Sequence, residues 1–149
     1  MPSGSSTRGS FAALRERLLQ RLLDLRPSFD VGLARCDEPS ARAQLAAMLE
    51  RLEVFLVTAD VPSHRVYVRT HLAQRGGDAG GLAAAVSTLV AVGDICARVA
   101  LEAASADPAY RQLALRVAER TMLTARACTD LLVEQAQRRA DALAGGSTS

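Results

Sequence analysis

The chain has 149 residues, which is one ordinary domain with room for a real core. Aromatic residues make up only 3% of it, so we expect an aliphatic core of Leu, Val and Ala, a composition that favours helices over strands. The net charge is only +2, because 18 basic residues nearly balance 16 acidic ones, and this argues against a general nucleic-acid binder.

The cysteines and the hydropathy pattern bear on compartment and cofactors. Cys36, Cys96 and Cys128 are widely spaced and form no cluster with histidine, so the sequence predicts neither a disulfide framework nor a metal site, and no cofactor motif is present. The first ten residues lack the apolar stretch of a signal peptide, and the longest apolar run, 82–93, is far shorter than the roughly 20 residues that cross a bilayer. We therefore expect a cytoplasmic protein with reduced thiols and no membrane partner.

The apolar periodicity predicts an all-α protein, a four- or five-helix bundle with a long C-terminal helix. Residues 1–9 and 145–149 are rich in Ser and Gly and are predicted to be disordered tails around a single domain at 10–144. The first predicted helix runs over 10–26, where leucines recur every three or four residues, and Pro27 is expected to end it. Residues 27–39 are read as a connection.

Three further helices follow in the middle of the chain. The second is predicted at 39–59, starting from Pro39, and the third at 62–75, ending at the Gly76-Gly77 pair. The fourth, at 81–105, is apolar on most sides. A helix of that kind lies at the centre of its fold or is covered by a second subunit.

The fifth predicted helix runs over 107–144, from the capping pair Asp107-Pro108, and would be roughly 50 Å long at 1.5 Å per residue. It is longer than the helices available to cover it, and its last turns from Glu134 onward should extend beyond the bundle, pair with another chain or fray. Its apolar face is therefore a predicted self-association surface, carried by Tyr110, Val117, Leu131 and Leu132.

The third predicted helix carries the strongest local concentration of positive charge. Its basic residues are His64, Arg65, Arg69, His71 and Arg75, and no acidic residue lies between Asp60 and Asp78. Together with the glycine-rich segment 76–81, which precedes a helix N-terminus, these side chains predict a weak anion site. The competing interpretation is a solvated basic face with structural histidines rather than metal ligands.

No motif in the sequence predicts catalysis. The preferred function is a non-enzymatic helical interaction module, acting as a regulatory, adaptor or scaffold subunit and forming a homo-oligomer or binding a helical protein partner. Two alternatives remain open at this stage. One is a small-ligand sensor with an apolar cavity inside the bundle, and the other is an anion- or nucleic-acid-binding accessory protein that uses the basic face of the third helix.

Overall fold

The computed structural model describes residues 3–75 and 79–146 and contains six α-helices and no strand within those ranges. The helices are α1 (Ser3–Phe29), α2 (Val31–Arg35), α3 (Glu38–Thr58), α4 (Val61–Arg75), α5 (Ala79–Ala103) and α6 (Ala109–Gly146). The predicted all-α class and the long C-terminal helix are confirmed. The five long helices correspond to the five predicted segments, and α2 is an addition.

Helix α1 extends past both of its predicted ends. Residues 3–9, which were predicted to be disordered, are helical, and Thr7 is buried. Pro27 was expected to end the helix but lies within its last turn. Proline has no N–H for the carbonyl of Leu23, and the Arg26 guanidinium donates a hydrogen bond to that carbonyl instead, at 2.9 Å. The missing backbone bond is thereby replaced, and the helix continues to Phe29.

The C-terminal end of the last helix also differs from the prediction. The loop between α4 and α5 lies outside the described residues, so the prediction made for it is not tested. Helix α6 includes residues 145 and 146, which were assigned to a disordered tail. The predicted glycine cap at 76–77 lies outside the described residues, as do residues 147–149 of the predicted tail.

Helix α2 occupies the segment that was predicted to be an irregular connection. The Asp30 carboxylate caps it by accepting a hydrogen bond from the backbone N–H of Leu33 at 3.0 Å. The Leu33 side chain is fully buried, which anchors this short helix to the core. Asp37 caps α3 in the same way, through the backbone N–H of Ser40 at 2.8 Å.

The core of the bundle is aliphatic, as the composition predicts, with Phe11 and Phe55 as its buried aromatic side chains. Helix α5 lies at its centre and packs against α1, α4 and α6. At Gly93 the approach of α6 is so close that a Cβ atom would overlap the Thr121 side chain. By length and composition alone, the segment Gly81–Ala103 could cross a membrane, but the central helix of a soluble bundle has the same properties.

Candidate functional site

The two arginines at the centre of the predicted anion site are both engaged with carboxylates on α6. The Arg65 guanidinium lies 3.2 Å from Asp130, and that of Arg69 lies 3.4 Å from Glu134. All four side chains are substantially exposed, so each pair contributes little to stability. An anion at this face would have to displace both carboxylates. The geometry therefore does not favour anion binding at Arg65 and Arg69.

The third predicted arginine, Arg75, points to a different part of the molecule. Its guanidinium lies 3.5 Å from the Asp30 carboxylate and 3.3 Å from the side-chain oxygen of Gln44. Asp30 comes from the cap of α2, and Gln44 comes from α3. Arg75 thus lines the space between α3 and α4 and is not part of one continuous basic face with Arg65 and Arg69.

His64, another residue of the predicted anion site, is buried inside the bundle. Its ring stacks on Phe55 with 3.8 Å between ring centroids, and its Nε2 lies 2.7 Å from the Thr124 hydroxyl. That hydroxyl donates its one proton to the Arg120 carbonyl at 3.0 Å, so the bond to His64 requires that Nε2 carry the hydrogen. Burial, aided by the charge of Arg51, lowers the pKa of His64 to about 4. His64 is therefore a neutral structural residue at physiological pH.

Tyr67 lies between the two histidines of α4. Its ring centroid is 5.9 Å from that of His64 and 5.7 Å from that of His71. Burial lowers the pKa of His71 as well, and the positive charge of Arg75 adds to the effect. Both of these ring pairs are tilted, unlike the stacked pair of Phe55 and His64, and the two histidines lie on either side of the tyrosine.

The interior of the bundle contains a small cavity beside His64. Its volume is about 30 Å³, and Thr124, Tyr67 and Gly93 are among the residues that line it. A space of this size holds about one water molecule, far below the several hundred cubic ångströms that a small organic ligand needs. The structure therefore offers the sensor alternative no ligand-sized apolar cavity among the described residues.

The residues predicted for self-association do not share one surface. Val117 is only 1% exposed and belongs to the chain's own core, and Tyr110 and Leu131 pack against that core. Leu132 is the one member of the set that faces outward. The apolar face that was predicted to bind a second subunit is thus the face by which α6 packs against its own bundle.

A second stripe on α6, which sequence reasoning missed, faces away from the bundle. We call it the outer seam, and it consists of Leu115, Ala118, Met122, Ala125, Thr129, Leu132, Ala136, Arg139 and Leu143. Every member is exposed except Ala125, which is half-buried. The spacing alternates between three and four residues, the heptad period by which helices pair in coiled coils. Its alanines and threonine are weak apolar signals, which is why the leucine-rich inner stripe dominated the sequence pattern.

The end of α6 has no cover from the other helices. All residues from 135 to 146 are exposed, in agreement with the expectation that the last turns extend beyond the bundle.

Comparisons of the chain with protein-family models, curated proteins and solved structures give no match. Function must therefore be argued from these surfaces alone.

Proposed function

We propose that this protein is a non-enzymatic helical interaction module that forms a homodimer through the outer seam of α6. The observation that carries the proposal is the exposure of large apolar side chains at heptad spacing: Leu115 is 61% exposed, Met122 73% and Leu143 77%. Scattered apolar residues are normal on a protein surface, but a periodic line of them is typical of a helix-pairing interface.

The seam itself favours an antiparallel partner helix of the same sequence. With Met122 placed opposite Ala125 of the partner subunit, the heptad spacing brings the six seam positions from Leu115 to Leu132 into layers without a charged residue. The symmetric layers pair Leu115 with Leu132, Ala118 with Thr129 and Met122 with Ala125. Each large side chain then meets a small one or another leucine, as interdigitating helices require.

Charge at the edge of the seam agrees with this arrangement. Glu119 and Arg126 are both exposed and lie one heptad apart beside the seam. In the antiparallel register, Glu119 of one copy lies near Arg126 of the partner subunit, which gives two ion pairs related by symmetry. In a parallel dimer the two copies of this flanking position would lie on opposite sides of the seam, and this ion pair could not form.

The first test is the substitution Met122→Arg, which puts a charge at the centre of the seam. We expect sedimentation equilibrium to show a dimer for the wild-type chain, and a dissociation constant raised by at least about tenfold for the variant, since desolvating an arginine costs more than 1.4 kcal/mol. The variant should keep the circular dichroism and melting behaviour of a folded monomer, because Met122 makes no contribution to the core.

Val66→Arg is the matched control, because Val66 is similarly exposed, at 65%, but belongs to α4 and not to the seam. It should leave the dimer intact. A charge swap then tests the orientation: Glu119→Arg and Arg126→Glu should each weaken the dimer, and the two together should restore it. A wild-type chain that remains monomeric at millimolar concentration would contradict the proposal.

A further inference from the structure

Helices α3 and α4 enclose an open groove of about 380 Å³, the space that Arg75 was described as lining. Its polar lining consists of Gln44, Arg51, Tyr67, His71, Gln74 and Arg75. The volume is within the range of small-molecule sites, which are concave and combine apolar walls with a few convergent polar groups. The walls here are completed by Ala47 and Met48.

Arg51 is the side chain that distinguishes this groove from the rest of the arginine-rich surface. It is half-buried, and its guanidinium carbon lies 5.0 Å from the centre of the Tyr67 ring. No carboxylate lies within 4 Å of it in the described part of the chain. Arg65 and Arg69, by contrast, each have an acidic partner. The ring contact holds the guanidinium in place without neutralising its charge.

His71 adds an unused polar atom to the same groove. Its Nε2 is buried and has no hydrogen-bond partner among the described residues. A buried polar atom without a partner costs free energy, so the fold carries a local energetic penalty in this wall of the groove. Arg75, at the same end, is paired with the Asp30 carboxylate at 3.5 Å, which leaves Arg51 as the arginine of the groove without an acidic partner.

We propose that the groove between α3 and α4 binds a small organic anion through its carboxylate or phosphate group. The Arg51 guanidinium is the principal ligand, and its planar fork donates two parallel hydrogen bonds to such a group. The side-chain amide of Gln74 donates to a further oxygen of the same ligand, and the His71 ring forms part of the groove wall. This site is independent of the outer seam, which lies on α6.

The test is a titration of the full-length protein with two probes, inorganic phosphate and citrate, followed by isothermal calorimetry and by NMR of the His71 ring. We expect one or both to bind, and the preferred probe identifies the chemical class. Arg51→Gln should weaken that binding by at least about tenfold, as loss of a charge-assisted pair does. A bound anion should also raise the pKa of His71, since a nearby negative charge favours the protonated ring.

Two matched variants separate a site from a general charge effect. Arg65→Gln removes the same charge from a paired arginine outside the groove and should leave binding unchanged. Gln74→Glu places a carboxylate inside the groove and should abolish binding, whereas Gln112→Glu, on the exposed face of α6, should not. The proposal is overturned if neither probe binds, or if Arg51→Gln and Arg65→Gln weaken binding equally.

Discussion

At the scale of single residues, Phe55 organises the polar groups that lie inside the bundle. One face of its ring stacks on His64, and the guanidinium of Arg120 lies 5.3 Å from its centroid. Arg120 is only 6% exposed, and its Nε donates to the backbone carbonyl of Phe55 at 3.2 Å. A buried arginine and a buried histidine are thus both held against one aromatic side chain, and their hydrogen-bond partners are the Phe55 carbonyl and Glu119 for Arg120 and the Thr124 hydroxyl for His64.

The low pKa of His64 makes stability depend on pH in a defined direction. The unfolded chain binds a proton at His64 below about pH 6.5, whereas the folded chain excludes it until about pH 4. The contribution of His64 is therefore fully present above pH 6.5 and is lost as pH falls toward 4. We expect this one group to lower the free energy of unfolding by up to about 3 kcal/mol over that interval.

Urea denaturation between pH 4 and pH 7 would measure this effect by comparison with His64→Gln. Glutamine retains a donor for Thr124 but does not titrate. The variant should have a lower free energy of unfolding than the wild-type protein at pH 7, and this free energy should fall less as the pH is lowered. The carboxylates titrate in both proteins and cancel in the difference. A His64 ring that titrates near pH 6.5 by NMR would show that the residue is solvated.

At the scale of the elements, the contact between α5 and α6 depends on the absence of a side chain at one position. Gly93 faces Thr121, whose hydroxyl donates to the Val117 carbonyl at 2.7 Å and whose side chain fills the space where a Cβ of residue 93 would stand. The lower helix propensity of glycine at this position is offset by the closer packing of α5 against α6 that its small size permits.

Gly93→Ala should therefore destabilise the protein by about 1–3 kcal/mol, the usual cost of overpacking, although alanine is the better helix former. Thr121→Ala removes the atoms that the new methyl group meets, so the double variant should recover part of the loss. Thermal or urea unfolding of the four proteins gives the coupling free energy. Additive effects would mean that the two helices lie further apart than the structure places them.

The sequence predicted the helices well and their surfaces poorly. Four of the long helices could be predicted to within about two residues at each end, because apolar period and capping residues are local signals. Helix α2 was missed because five residues carry no period, and the end of α1 was misplaced because the Arg26 side chain replaces the bond that Pro27 lacks.

The candidate sites could not be predicted because they depend on residues far apart in the sequence. Nothing local to Arg65 shows that Asp130 lies beside it. In the same way, the groove around Arg51 exists only because α4 lies alongside α3. A partial signal was present in α4, where Tyr67, His71 and Arg75 recur every four residues and therefore share a face.

At the scale of the whole molecule, the proposed dimer would link stability to concentration. A partner that binds only the folded chain stabilises it by mass action, so the melting temperature should rise as the protein concentration is raised. Calorimetry over a hundredfold range of concentration measures this, with Met122→Arg as the reference. The variant should melt at one temperature throughout. Identical, concentration-independent melting of both proteins would show that the outer seam does not bury apolar surface in a second copy.

The position of Tyr67 has a practical consequence for optical spectroscopy. The chain has no tryptophan and only two tyrosines, so Tyr67 and Tyr110 account for nearly all of its near-ultraviolet absorption and emission. Tyr67 lies between two imidazoles and beneath a guanidinium, whereas Tyr110 is at the far end of the bundle near the start of α6. With Tyr110→Phe, the remaining fluorescence would come from a single phenol at the boundary between the groove and the interior. The native chain thus carries its own chromophore in the wall of the groove proposed to bind an anion, so anion binding there can be followed without an attached dye.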